Sequence, residues 1–91
     1  MKIEYDTEKN ARNIRERGLS FDVALLFKWD TALIIEDVRK DYGEPRFRAL
    51  GFIESRLHAL VFTPRDEAIR IISLRKANSR EVRWYEKQTQ L

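Results

Sequence analysis

The stretch RIISLRKANSREVRW, Arg70–Trp84, decides the fold. Its first half alternates like a strand, and its second half starts like a helix. The strand is expected over Ala68–Arg75. Strict alternation places Ile69, Ile71, Ser73 and Arg75 on one face, and Arg70, Ile72 and Leu74 on the other. An arginine in mid-strand at position 70 must reach solvent, a carboxylate or an anion, because an unpaired buried charge is costly. Asn78 or Ser79 can then cap a last helix, SREVRWYEKQ, and Asn78 with Glu81 three residues on has the spacing of a capping box. Along that helix Arg80, Arg83 and Lys87 form one basic stripe, while Val82 and Tyr85 lie on another side and can pack on a sheet. A strand ending in cations, followed by a helix that opens with more, is either a solvated surface or a site for an anion. In the second case the helix N-terminus adds backbone donors for the anion.

Upstream, LHALVFT (Leu57–Thr63) is nearly continuously apolar, as in a central strand covered on both faces. RFRALGFIE (Arg46–Glu54) alternates, with Arg46 and Arg48 on one face and Phe47 and Ala49 on the other. ALIIEDV (Ala32–Val38) is a further strand. Glu54-Ser55-Arg56 is short enough for a hairpin, and Pro64-Arg65-Asp66-Glu67 is a turn by its Pro and Asp, so these four strands read as an antiparallel meander. At the start, KIEY (Lys2–Tyr5) is a short strand. Asp6 or Thr7 caps TEKNARNIRERG, with Gly18 ending it. That helix is polar nearly all round, its apolar side being only Ala11 and Ile14, so it either lies lightly on the domain or carries surface function. Ser20 caps a second helix, FDVALLFKW, which should bury Val23, Ala24 and Phe27, with Leu26 beside them. The order is β-α-α-β-β-β-β-α. It predicts an α+β fold: an N-terminal strand and two helices, a four-stranded antiparallel meander, and a C-terminal helix, in one domain over residues 1–91.

Composition narrows the functions. Ninety-one residues suffice for one domain, and 43% hydrophobic residues argue against disorder. With no cysteine there is no disulfide framework and no thiolate site, which agrees with a reducing cytoplasm. The N-terminal MKIEYDTEKNARN has no apolar core of a signal peptide, and no apolar run approaches the ~20 residues of a membrane span. The net charge is +3, from 12 Arg and 6 Lys against 15 acids. Arginine's rigid fork fits phosphate, which lysine meets only as a point charge. One His and no Cys leave carboxylates as the main metal ligands. Glu36 and Asp37 point to opposite faces and Asp66-Glu67 is a turn pair, so no metal site is expected. His58, in an apolar strand, reads either as a hydrogen-bonded histidine at the edge of the core or as a general acid or base. Trp29, Trp84, Tyr42 and Tyr85 can stack bases, although Trp29 and Trp84 are more often packing residues in so small a core.

The chain resembles the BrnT family, small toxins of bacterial type II toxin–antitoxin systems. IEYDTEKNARNIRERGLSF (Ile3–Phe21) is similar to the family's opening segment and its Lys-Asn helix. LVFTPRD (Leu60–Asp66) is similar to its middle strand. The most specific match is the pattern R-I-I-S-x-R-x-A-x-x-x-E-x-x-x-Y, met by Arg70, Ile71, Ile72, Ser73, Arg75, Ala77, Glu81 and Tyr85. Many relatives end the first helix with Lys-His-Gly; this chain has Glu16-Arg17-Gly18, and Arg17 can bind phosphate but cannot serve as a base.

The resemblance implies a RelE-like toxin fold and a cytoplasmic, metal-independent endoribonuclease that arrests translation without any cofactor. It also implies a cognate BrnA-like antitoxin in a heteromeric complex, built on antitoxin dimers and reaching operator DNA only through the antitoxin, with no membrane involved. Cleavage would proceed by attack of the RNA 2′-OH on its adjacent phosphate. On that reading Arg75 and Arg65 are transition-state cations. Arg46 or Arg48, with Arg80 and Arg83, guides the strand, and Lys9 and Asn13 add RNA contacts. Glu81, Tyr85 and His58 are the candidates for proton transfer. Acidic or amphipathic antitoxin segments would mask the cations over the sheet and first helices. A non-catalytic nucleic-acid-binding regulatory module explains the cations equally well without any base, and predicts salt-sensitive binding with no cleavage.

Overall fold

The computed structural model describes residues 1–90. Five strands, β1 (Lys2–Tyr5), β2 (Leu33–Glu36), β3 (Phe47–Ile53), β4 (Arg56–Arg65) and β5 (Ala68–Lys76), form one sheet in the order β1-β5-β4-β3-β2. The meander from β2 to β5 is antiparallel throughout. β1, however, lies parallel to β5, with Ile3 opposite Ile69 and Tyr5 opposite Ile71, so the sheet is mixed and five-stranded. The four-stranded antiparallel meander expected from the sequence is thus extended by β1 into a five-stranded mixed sheet, which corrects the RelE-like expectation of four antiparallel strands. From this edge position beside β5, Ile3 and Tyr5 pack against the main core.

Helix α1 (Thr7–Arg17) starts on Asp6, whose carboxylate accepts from the N–H groups of Glu8 and Lys9, and ends at Gly18 in the left-handed conformation (φ 68°). Its inward side is not the apolar one. Ala11 and Ile14 are exposed, and the buried residue is Asn13. The second helix does not form as an α-helix. Ser20 caps as expected, but the chain makes two short 3-10 segments, Phe21–Leu26 and Trp29–Thr31. Between them Phe27 adopts an extended backbone, and Lys28 N–H donates to Phe52 O at 2.9 Å. There the Phe27 ring fills the space over Gly51, where any Cβ would collide with it. Phe21, Ala24 and Phe27 are buried, Val23 is half-buried, and Leu26 is exposed.

The main core lies on one face of the sheet and joins Phe21, Ala24 and Phe27 to Ala49, Ile53, Leu60, Phe62, Ile71 and Leu74. The other face carries a smaller cluster, in which Tyr85 and Val82 of helix α2 (Ser79–Thr89) pack on Leu57, Ala77, Leu33, Leu50 and Phe52. That helix covers only part of its face. β4 is central as expected, yet its second face is only partly covered, and Ala59 and Val61 are half-buried there.

One irregularity resets the parity of β5. Val61 pairs with Ser73 but Phe62 pairs with Ile71, so Ile72 is an extra residue, a β-bulge. Strict alternation fails across it. Ile69, Ile71 and Leu74 face the main core, and Ser73 and Arg75 face the other way. Among the described residues no helix is long and apolar enough to cross a membrane.

Candidate functional site

The incompletely covered face of the sheet is a groove of about 560 Å³. Its floor follows from the strand register. One row runs Leu33, Leu50, Ala59, Arg75, and the next runs Ile35, Arg48, Val61, Ser73. Arg80, Glu81 and Trp84 of α2 form one wall, and Arg39 stands at the other side. Four arginines thus line an apolar floor, and among the described residues Glu81 is the single carboxylate lining it.

The junction between β5 and α2 builds the centre of this site. Asn78 accepts from Glu81 N–H at 2.8 Å, and Glu81 Oε1 accepts from Asn78 N–H at 2.9 Å, a complete capping box. The same carboxylate holds Arg75 in a two-pronged pair, Nη1 to Oε1 at 2.8 Å and Nη2 to Oε2 at 2.9 Å. The Arg75 guanidinium keeps the Glu81 carboxyl below its ordinary range, and Glu81 in turn raises Arg75. Oε2 is committed to Arg75 alone, whereas Oε1 also serves the cap.

Arg39 is a residue that sequence reasoning missed. Asp37, its carboxylate 1% exposed, accepts from Arg39 Nε and Nη2, both at 2.8 Å, from Arg39 N–H, and from the Tyr42 hydroxyl at 3.2 Å. The hydrogen bond from Arg39 is the main cause holding that carboxyl well below the usual carboxylate range. Arg46 stacks on Tyr42, 3.9 Å from the ring. The available signal was Asp37 two residues before Arg39, the spacing of an Asx turn.

The structure separates several residues that the sequence had grouped. Of the pair Arg46 and Arg48, Arg48 lines the groove and Arg46 lies against Tyr42 outside it. Arg65 pairs with Glu44 at 3.2 Å, six residues along β4 from Ala59, the residue opposite Arg75. At strand rise that is about 20 Å, so Arg65 and Arg75 do not share a site. Asn13 is not presented to a ligand: its amide donates to Leu19 O and Leu74 O, both at 2.9 Å. Lys9 is exposed on α1. Arg80 lines the groove, while the exposed Arg83 does not. Arg70 finds a carboxylate in Glu4 at 3.4 Å. Tyr85 is buried, and its hydroxyl donates to Thr31 O at 2.7 Å.

His58 neighbours Ala59 on β4 and so points to the opposite face from the groove. It is buried, with Nδ1 2.8 Å from Arg56 O, and burial pushes its pKa down. Trp29 packs edge-on against Phe27 and Phe62 as expected, whereas Trp84 is 39% exposed on the groove wall. Arg17 reaches Ser73 Oγ at 3.4 Å, past the end of the β1 pairing, and so extends the cationic surface around the free edge of β5. Among the described residues no three His, Asp or Glu side chains gather as a metal site requires.

Comparison with known proteins gives one finding. The family model for the ribonuclease toxin BrnT of type II toxin–antitoxin systems matches residues 5–81. A search of curated proteins matched none to this chain.

Proposed function

The chain belongs to the BrnT family of ribonuclease toxins of type II toxin–antitoxin systems, and from that premise we propose that its arginine-lined groove binds and cleaves RNA. The observation that carries this reading is the gathering of Arg39, Arg48, Arg75 and Arg80 around an apolar floor with an exposed Trp84 beside them. Guanidinium forks suit phosphate, and an aromatic face with apolar floor suits an unstacked base. Residues 1–91 act as one toxin domain. The enzyme works as an endoribonuclease, needs no metal, and arrests translation in the cytoplasm until an antitoxin covers the groove.

The chemistry assigned to the groove is attack of a 2′-OH on its own adjacent phosphate. The 2′-oxygen forms the new P–O bond and the P–O5′ bond breaks, leaving a 2′,3′-cyclic phosphate and a 5′-OH. Glu81 takes the proton from the 2′-OH, and the departing O5′ takes one from solvent water. Arg75, with Arg48 and Arg80 nearby, stabilises the extra charge on the phosphoryl oxygens. Glu81 is the base. In the free protein Arg75 occupies Oε2. A substrate phosphate that draws the Arg75 fork to itself frees that oxygen and removes the main influence lowering its basicity. Arg65, Tyr85, His58 and Asn13 have no part in this assignment.

A second reading, a non-catalytic nucleic-acid-binding module, draws on how the three proton-transfer candidates are placed. Glu81 is paired, Tyr85 is hydrogen-bonded in the core, and His58 lies on the other face. The deciding experiment incubates the purified protein with single-stranded RNA in the presence of a chelator. Products with 2′,3′-cyclic phosphate ends are expected, and DNA of the same sequence, which lacks the nucleophile, stays intact. Binding without cleavage selects the second reading.

A further inference from the structure

The sheet's two edges are finished differently. On β1 the exposed side chains are Lys2 and Glu4, and Glu4 is tied to Arg70. Charged side chains are a common protection of an open edge against strand addition. β2 has the sequence LIIE, with its only charge at the last position. Ile34 is 50% exposed, Ile35 41%, and Val38, just beyond the strand, 76%.

The β2 backbone is open as well. Asp37 N–H donates to Arg46 O at 2.7 Å, continuing the β2–β3 register in which Leu33 opposes Leu50 and Ile35 opposes Arg48. Hydrogen-bonded pairs alternate with unbonded ones along an antiparallel ladder. Leu33, Ile35 and Asp37 therefore bond inward to β3. Ile34 and Glu36 direct their N–H and C=O groups away from the sheet, ready for another strand.

We propose that β2 seats the antitoxin, an extended segment of which adds as a sixth strand along Leu33–Glu36. This rests on the toxin reading above. The occupant's chemistry follows from the two faces of the edge. On the core face its apolar side chain meets Ile34. On the groove face its alternate residues stand beside Ile35, whose row leads to Arg48. Neither Arg48 nor Arg80 makes an ion pair among the described residues, so the segment carries carboxylates on that side. A second copy of this chain is the poorer fit. Pairing β2 with β2 brings no carboxylate to Arg48, and sets the two Arg48 residues three strand spacings apart, about 14 Å. Strand addition supplies backbone affinity, and the alternating side chains supply selectivity.

The probe is the product of the reading frame adjacent to this one, titrated against wild type, Ile34→Lys and Ile34→Pro. Proline is tolerated on an edge strand where its nitrogen faces outward, so Ile34→Pro removes the outward donor and spares the ladder; melting curves check that both variants fold. Tight binding by wild type is expected, with at least tenfold weaker binding by both variants. Hydrogen exchange at the Ile34 and Glu36 amides should slow in the complex. RNA cleavage by the free variants should stay within twofold of wild type, because the Ile34 side chain lies on the face opposite the groove. The proposal is overturned if either folded variant binds within tenfold of wild type, if those two amides exchange unprotected in a tight complex, or if wild type does not bind the probe. A wild-type dimer that Ile34→Lys dissolves also overturns it, by assigning β2 to self-pairing. If binding depends on β2 but wild type cleaves no RNA, the ribonuclease reading fails and the strand-addition proposal stands.

Discussion

Replacing Arg75 with alanine separates the stability of the site from its chemistry. In the structure the guanidinium makes a two-pronged pair with Glu81 at 2.8 and 2.9 Å, but the two side chains remain 38% and 25% exposed. A pair so open to water contributes at most about 1 kcal/mol after screening. The capping box survives the change, since Asn78 and Glu81 bond each other without Arg75. The expected melting shift is therefore about 4–8 °C or less, the span that corresponds to about 1 kcal/mol in a domain of this size. The chemical loss should be far larger. A donor aimed at developing charge is worth about 2.7–4 kcal/mol, or roughly 10²–10³ in rate. The assay is single-turnover cleavage of an end-labelled RNA, run beside thermal melting of the same samples. Arg75→Lys keeps the charge but loses the fork, and should recover only part of the rate. A folded Arg75→Ala protein that cleaves within tenfold of wild type would refute the placement of the reacting phosphate in this groove.

Glu81→Gln keeps a cap acceptor and removes the carboxylate, so on the mechanism proposed above cleavage should fall while α2 persists. In wild type Arg75 depresses the Glu81 carboxyl, so the acid limb of kcat/KM should lie below 4.5, the ordinary value for Glu, and vanish in Glu81→Gln. If the four groove arginines meet phosphates, the logarithm of RNA affinity should fall with the logarithm of salt with a slope near −2.8, about −0.7 per contact, and Arg48→Ala should flatten it by about 0.7. Asn13→Ala leaves the carbonyls of Leu19 and Leu74 without their donor and should cost about 1–3 kcal/mol by denaturant melts; activity per folded molecule should not change. Burial holds His58 below its ordinary 6.5, so the unfolded chain takes up a proton that the folded chain resists. Stability attributable to His58 is then complete above about pH 6.5 and lost as pH falls from there through the folded-state pKa; His58→Asn should remove that slope in melts run from pH 7.5 to 5.

Local chemistry made part of this legible. The capping box at Asn78 and Glu81, the glycine ending α1 and the hairpin meander follow from residue types at short spacing, where each signal has its own mechanism. Long-range geometry was not legible. Nothing in Arg70–Arg75 announces that Ile72 is bulged, and one extra residue moves every later side chain to the other face. Asn13 looks like a surface amide on a polar helix, and only the approach of α1 to β5 makes it a bridge to Leu74 O. Arg65 lies at the β4–β5 turn and Arg75 opposite Ala59 towards the other end of the hairpin, a separation that residue types alone do not show. Arg39 entered the groove through a loop whose course depends on buried Asp37, which the sequence shows only as one acid among fifteen.

The bulge also explains why a strand serving the core can serve the groove. Ile71 and Leu74 are both fully buried on one face, three residues apart, a spacing that unbroken alternation cannot give. With Ile72 as the extra residue, Ser73 and Arg75 both fall on the open face, in the rows of Val61 and Ala59. Arg75 then emerges one turn from the start of α2, where Glu81 already faces the Asn78 cap. Four clustered arginines would repel one another and wander. Two carboxylates oppose this: Asp37 fixes Arg39 and Glu81 fixes Arg75. The guanidiniums of Arg39 and Arg75 are thus held in fork geometry before any ligand arrives, and a phosphate replacing a carboxylate exchanges one two-pronged partner for another with little reorganisation. The same two pairs set a threshold: an anion that cannot outcompete a carboxylate already in place gains only Arg48 and Arg80. An RNA phosphate flanked by a base on Trp84 has a second source of affinity, and so does a carboxylate carried on a strand bonded to β2. Free small anions have neither, so simple phosphate should inhibit cleavage weakly, and strong inhibition at low millimolar concentration would show that the built-in pairs do not hold the fork as argued.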